Sequence, residues 1–230
     1  MHRLVVSVVI PAFNEEKTIG TVISDTVSAM DSLETPYEII VVDDGSTDNT
    51  RRIATGYKAM VLYNGKNRGK GYALRKGFRH AQGDIIVTID ADGTHKPKEI
   101  PDMINPLFNG IDIVTGSRFL GQKKNSTSKL NRIGNFLFNT TIMILTRKRI
   151  TDSQTGFRAF KKKVLHKFNL ESLGYEIETE LTLKGLKNGF IFQEKPVNCD
   201  QRRYNKSKLN ILSDGTKIFK TILKAHFIKA

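Results

Sequence analysis

Short apolar runs alternate with amphipathic stretches through the first half of the chain, and this alternation restricts the fold more than any other feature. The run LVVSVVIPAF (4–13) precedes a helical pattern at 16–33, and YEIIVVDDGS (37–46) precedes TDNTRRIATGYK. AMVLYN (59–64) leads into KGYALRKGFRHAQ (70–82), where Ala73, Leu74, Gly77, Phe78 and Ala81 share one face. A fourth run, GDIIVTIDADG (83–93), closes the series. Continuously apolar strands separated by helix-length connections are how crossover units build a parallel sheet covered on both faces. The expected class is α/β, with a mostly parallel central sheet flanked by helices.

The second half is less regular. It offers a strand at DIVTGSR (112–118), a Lys-rich loop at 121–132 and a helix at 132–146. After DSQTGFRAF come a helix around YEIETELTLKGLKNG (175–189) and a strand at FIFQEKPVN (190–198). At the C-terminal end Ile211, Leu212, Ile218, Phe219, Ile222, Leu223 and Phe227 share one side of a helix, and Lys217, Lys220, Lys224 and Lys229 lie largely on the other. No repeat or low-complexity tract interrupts the chain.

Ligands on open parallel sheets bind outside the carboxyl ends of the strands. Three polar signatures, PAFNEE, DDGS and DADG, fall at such ends and are expected to meet. If the fourth strand runs to its acids, Asp90 and Asp92 point the same way, because side chains alternate along a strand. Two converging carboxylates repel unless a cation lies between them, and oxygen-only donors favour Mg2+ or Mn2+ over zinc. The plainer reading is a solvated Asp-Gly turn. Thr94 and His95 are candidate supporting ligands. Ser46, Thr47 or Asp48 can cap the following helix, whereas Asp43 and Asp44 suit a base N–H or ribose hydroxyls. GKNRGKGY (65–72) misses the phosphate-loop spacing, and no G-x-G-x-x-G follows a strand, so nucleotide hydrolase and dinucleotide classes are disfavoured. Cations come from Arg118, Arg132 and DQRRYNKSKLN (200–210), whose guanidinium forks match phosphate oxygens. On a helix Glu176 and Glu180 share a face, so at least one of Glu176, Glu178 and Glu180 is expected to be solvated.

Charge narrows the partners. The chain has 37 Lys and Arg against 23 Asp and Glu, a net +14, which points to polyanionic partners. One cysteine, Cys199, excludes an internal disulfide framework. The N-terminal residues carry no leader pattern. No stretch reaches the length of a membrane span: FLFNTTIMIL (136–145) is too short and is interrupted by Asn139, Thr140 and Thr141.

Taken in order, VSVVIPAFNEE, EIIVVDDGSTDNT, KNRGKGYALRKGF, DADGTHKP, GSR, DSQTGFRAF and SKLN resemble the family 2 glycosyltransferases of the GT-A, Rossmann-like fold. The branch they are most similar to is the dolichyl-phosphate hexosyltransferases, whether mannose synthases or β-glucosyltransferases. The resemblance implies that Pro11, Phe13, Glu15, Val42, Asp44, Asp90, Ala91, Arg202 and Lys208 bind the nucleotide sugar. It assigns Asp90, Asp92 and Thr94 to the metal, and Asp92, Arg118 and Arg132 to catalysis. Mannose synthases usually carry Gln where Thr94 stands. KNRGKG and DADG are closer to the UDP-glucose branch than to the GDP-mannose branch. The implied domain spans 1–210; the basic amphipathic helix at 211–230 either lies in a lipid interface or packs on its own sheet with its lysines outward. The implied partners are a nucleotide sugar, a polyprenyl phosphate and the cytoplasmic face of a membrane, where the chain acts peripherally or with a membrane-protein partner.

The chemistry implied is a single inverting displacement. A phosphate monoester has its second pKa near ~6 and is largely dianionic at neutral pH, so it needs positioning rather than a general base. Transfer to a sugar hydroxyl or a protein is the rival, and it would require a base such as Glu176, Glu178 or Asp152. A nucleic-acid partner is disfavoured, because the aromatics are not interleaved with basic residues.

Overall fold

The computed structural model describes residues 4–120, 129–202, 204 and 211–227, the side chains of 129–131, 211–212 and 225–227 excepted. Lys208 lies outside the described residues. The expected crossover units form β1 (Val6–Ala12), α1 (Ile19–Asp31), β2 (Tyr37–Asp43), α2 (Thr50–Thr55), β3 (Met60–Tyr63), α3 (Lys70–His80) and β4 (Ile85–Thr88). Then follow α4 (Ile100–Phe108), β5 (Ile113–Ser117), α5 (Lys129–Thr146), β6 (Arg158–Lys161), α6 (Lys163–Lys167), α7 (Ile177–Lys187), β7 (Phe192–Pro196) and α8 (Ile211–Phe227).

The seven strands make one sheet in the order β3-β2-β1-β4-β6-β5-β7. Strands β3, β2, β1 and β4 run parallel, and β7 is parallel to β5. Only β6 runs against its neighbours, pairing antiparallel with both β4 and β5. The sheet is therefore mostly parallel, as expected, with one reversed strand at its centre. The pattern predicts neither β6 nor α4. In β6 a short apolar run is broken by Arg158. In α4 the residues Pro101 and Pro106 disguise a helix whose Ile100, Met103, Ile104 and Leu107 are buried. A proline in the first helical turn lacks only a donor that has no intrahelical partner anyway.

Strand alternation splits the core into two layers. Val6, Val8 and Ile10 pack with Ile19, Ile23, Ile100 and Met103 on one face of the sheet. Val9, Ile40, Val42 and Ile86 pack with Ala73, Leu74, Phe78, Ile177 and Leu181 on the other. Helix α3 sits directly on the sheet at Gly77, where an added Cβ would lie 2.4 Å from Val9 Cγ1. A third cluster joins Ile142 of α5, Leu183 of α7, and Ile218 and Ile222 of α8. Burial of each such Ile is worth roughly 1.5–3 kcal/mol, enough to hold α8 against the body of the protein. The apolar side of α8 is therefore divided: Ile218 and Ile222 point inward, while Phe219 and Leu223 are exposed.

Candidate active site

The site lies where β1, β2 and β4 end. Strand β4 stops at Thr88, so Asp90 and Asp92 stand in a turn rather than on a strand. Gly93 has φ 71° there, a conformation that favours glycine. The alternation argument does not reach the two acids, and their carboxylates take different partners. Asp90 Oδ1 pairs with Lys70 Nζ at 2.6 Å. Asp92 Oδ1 accepts the backbone N–H and hydroxyl of Thr94 at 3.0 and 2.8 Å, and Asp92 Oδ2 lies 3.3 Å from Arg202. Thr94 thus orients Asp92 with its hydroxyl. Burial pushes the Asp90 carboxyl up, but Lys70, followed by His95 and Arg118, holds it below its ordinary value.

The β1–α1 loop is cross-linked to the β2–α2 loop. Asn14 N–H donates to Ser46 Oγ, Glu15 N–H to Thr50 Oγ1 and Glu16 N–H to Asp48 Oδ2. Ser46 therefore serves the neighbouring loop rather than capping α2. Asp48 Oδ1 accepts the N–H of Thr50 two residues on, an Asx turn. Glu15 is buried and accepts Arg202 Nη2 at 2.6 Å, so Arg202 bridges Glu15 and Asp92. Asp44 accepts Asn64 Nδ2 at 2.7 Å and the backbone N–H of Arg68 and Gly69 at 3.0 and 2.7 Å. It anchors the 64–69 loop at the rim of the site, and burial pushes its carboxyl up. Asp43 is fully buried, with Oδ2 unpaired in the structure. Pro11 and Val42 are register partners on β1 and β2. Val42 and Ala91 face core clusters, which leaves their backbones for any ligand contact. Phe13 follows β1 at the same edge.

Arg118 follows β5, with Nε 2.7 Å and Nη2 2.8 Å from the fully buried Asp152. Burial opposes its charge, but Asp152 holds its pKa above the ordinary arginine value. The turn around Asp152 is itself fixed. Glu194 accepts the N–H of Thr151 and Asp152, and Asn139 of α5 accepts Ser153 N–H and donates to Thr151 O. Arg132 is exposed on α5. His95, a candidate supporting ligand, is buried in the segment after the turn, 5.4 Å from the Phe157 ring and bridged through its backbone to Cys199. Burial pushes its imidazole below 6.5, and its Nδ1 is unpaired in the structure.

The expectation that one of the three glutamates is solvated fails: Glu176, Glu178 and Glu180 are 8%, 3% and 4% exposed. Glu178 pairs with Lys70 at 3.0 Å and with the buried Arg158 at 3.0 Å. Glu180 pairs with Lys184 at 2.6 Å and accepts the N–H of Ser172. Glu176 accepts the N–H of Leu173 and Gly174. The sequence reading missed Lys70, Glu178 and Arg158 as parts of one network. The available signal was Arg158 inside the apolar FRAF, because a charge buried in a strand requires a partner.

The geometry alone leaves a strand-end site with two acids, with Arg202 bridging Glu15 and Asp92 and with Arg118 fixed by Asp152. The family model described as Glycosyl transferase family 2 matches residues 7–168. The chain is a family 2 glycosyltransferase. It is 30% identical to a UDP-N-acetylglucosamine–dolichyl-phosphate N-acetylglucosaminyltransferase of Methanococcus voltae, over 97% of this chain and 96% of the relative. It is 33% identical to a dolichol-phosphate mannosyltransferase of Pyrococcus furiosus, over 89% of this chain and 59% of the relative. The fold is similar to that of glucosyl-3-phosphoglycerate synthase from Mycobacterium tuberculosis in complex with Mn2+, UDP and phosphoglyceric acid. That likeness has a TM-score of 0.77 at 26% identity and covers 99% of this chain and 80% of that one. The same mycobacterial enzyme is also known with Mg2+ and UDP. The transferase therefore has the GT-A arrangement, and DDGS and DADG fall within the matched segment.

Proposed function

We propose that this transferase moves a hexose from a nucleotide sugar to a polyprenyl phosphate of the dolichyl type at the cytoplasmic face of a membrane. UDP-glucose is the favoured donor class and GDP-mannose the alternative, on the KNRGKG and DADG segments. The observation that carries the acceptor class is the state of the carboxylates a hydroxyl acceptor would need. Asp152 is held by Arg118, Glu178 by Lys70 and Arg158, and Glu176 by backbone N–H groups. Asp152 and Glu178 are tied into these ion pairs, whereas a phosphate nucleophile needs only positioning.

In this reading Glu15, Asp44 and the loops they brace receive the nucleotide, with Pro11, Phe13, Val42 and Ala91 lining its approach. Arg202 and Lys208 meet the donor phosphates, and Arg118 and Arg132 the acceptor phosphate. Among the described residues no three His, Cys, Asp or Glu groups stand ready as a metal cage. The donor set still fits Mg2+ or Mn2+, which is commonly held by one or two carboxylates with substrate phosphates completing the shell. Asp92, with Asp90 beside it and Thr94 orienting it, would hold that ion. When bound, such an ion neutralises charge developing on a leaving diphosphate. Arg202, paired with Glu15 and Asp92 in the structure, is placed to turn toward the same phosphates. Arg118, held bidentately by Asp152, would meet the acceptor phosphate for an in-line attack that inverts the anomeric centre.

The membrane part of the proposal rests on α5 and α8. Ile133, Phe136, Leu137 and Ile144 of α5 are 58%, 68%, 58% and 70% exposed, at spacings that share one side. Phe219 and Leu223 of the adjoining α8 are also exposed, beside Lys217, Lys220 and Lys224. An apolar face rimmed with lysines suits an anionic lipid interface, either alone or with a membrane-protein partner. No helix among the described residues is long and apolar enough to cross a membrane.

The deciding experiment offers labelled UDP-glucose, UDP-N-acetylglucosamine and GDP-mannose separately, with Mg2+, detergent and dolichyl phosphate. Label entering the lipid phase from one donor, and lost with Asp92→Ala, is the expected result. Metal-dependent nucleotide binding without lipid labelling would refute the acceptor.

A further inference from the structure

The GKNRGKGY segment, which fits no phosphate-loop spacing, leads into Lys70, the first residue of α3. We propose that Lys70 is a positioning residue for transfer, holding the Asp90 carboxylate in register by tying it to Glu178 of α7. The inference rests on the preceding reading only in taking the 90–94 turn to bind the donor.

Four groups of alternating sign run inward from the turn: Asp90, Lys70, Glu178 and Arg158. Their successive separations are 2.6, 3.0 and 3.0 Å. They come from four separate pieces of chain: the turn after β4, the start of α3, α7 and β6. The Lys70 side chain is 14% exposed and that of Glu178 4%. Placing a lysine ammonium there is costly, and an apolar side chain of similar size would often be as stable. Lys70 meets Glu178 Oε1 and Arg158 meets Oε2, so Glu178 keeps an ion-pair partner even without Lys70. Among the described residues, the ion-pair partner of Asp90 is Lys70.

The wall opposite is shaped for this pair. A Cβ at Gly156 would stand 2.5 Å from Asp90 Oδ2 and 2.6 Å from Lys70 Nζ. The Gly156 carbonyl is pinned by the Thr88 hydroxyl, which donates to it at 2.7 Å. The end of β4 and the 153–158 segment therefore close around the Asp90–Lys70 contact. Helix α7 thus reaches the DADG turn through Lys70 at Asp90, two residues before Asp92, which Thr94 and Arg202 hold.

The test compares the full chain with Lys70→Met and with Lys70→Met/Glu178→Gln. The double variant removes one charge of each sign and leaves Asp90 and Arg158 in balance. Melting temperature and calorimetric binding of UDP and of GDP, each with Mn2+, are read for every protein. The expected result is that the double variant regains the wild-type melting temperature but binds the nucleotide about 10- to 100-fold more weakly, the loss typical of an outer-shell partner. Asp90→Asn should show a loss of the same order and add nothing when combined with the double variant. Recovery of both melting temperature and binding would overturn the inference, leaving Lys70 as a counter-charge for Glu178. So would a double variant that stays unstable, because Lys70 would then serve the fold. Losses that simply add with Asp90→Asn would overturn it as well. A wild-type protein that binds neither nucleotide with Mn2+ would instead sink the preceding reading, and this one with it.

Discussion

Arg158 lies in β6 between Phe157 and Ala159, with no exposed surface, and it donates to the carbonyls of Ser153 and Thr155 and to the Thr182 hydroxyl. A guanidinium in that setting is tolerable only because carbonyls and Glu178 satisfy it. The sequence marks such a residue as needing partners without saying which glutamate answers. The same holds for Asp90 and Asp92, which find separate partners in Lys70 and Arg202. A pair far from the site gives a pH test at this scale. The Tyr37 hydroxyl donates to Asp31 Oδ1 at 2.6 Å, and burial, then Asp31, push its pKa from 10.0 up to about 12. A folded-state pKa above the unfolded one means stability that is complete below pH 10.0 and is lost as pH rises through about 12. In thermal melts the advantage of wild type over Tyr37→Phe should be constant below pH 10.0 and shrink between 10.0 and 12. An advantage that grows across that interval would contradict the assignment.

Helix α5 carries two unlike faces. Asn135, Asn139 and Ile142 turn inward, where Asn139 grips the turn that holds Asp152, while Ile133, Phe136, Leu137 and Ile144 face out. Those outer side chains have no core to lose, so Phe136→Ser and Ile144→Ser should change stability by no more than about 0.5 kcal/mol. The pair of substitutions should nevertheless remove most binding to anionic vesicles in a flotation assay. A fall in melting temperature with intact vesicle binding would show that this face packs against protein instead. At the same scale, the first-half elements were legible because β1, β2 and β4 are apolar on both faces, β3 is a short apolar run at the sheet edge, and α1 and α3 show their stripes. Strand β6 and helix α4 were not, because one is short with a charge inside it and the other hides its stripe behind prolines.

Across the whole molecule the charge is +14, and among the described residues Lys70, Arg118, Arg158 and Lys161 are engaged by acids. The unpaired surplus is the part that can act at a distance. Vesicle association should therefore weaken steeply as salt rises toward about 0.5 M, where the Debye length is only a few ångströms. Nucleotide binding should respond far less, because its contacts lie inside the site. Equal salt sensitivity of the two would argue that the surplus charge serves the donor rather than a lipid surface.

The sequence by itself determined the sheet class, the succession of the first four strands and three helices, and the meeting of PAFNEE, DDGS and DADG. Those are consequences of local periodicity and of where strands end. Only the tertiary structure decided what each charged side chain does there. Lys70, Glu178 and Arg158 come from distant parts of the chain, and their pairing is enforced by burial, which allows no charge to remain without a partner. The reversal of β6 was decided in the same way: its register with β4 and β5 is a long-range choice that short-range pattern does not encode.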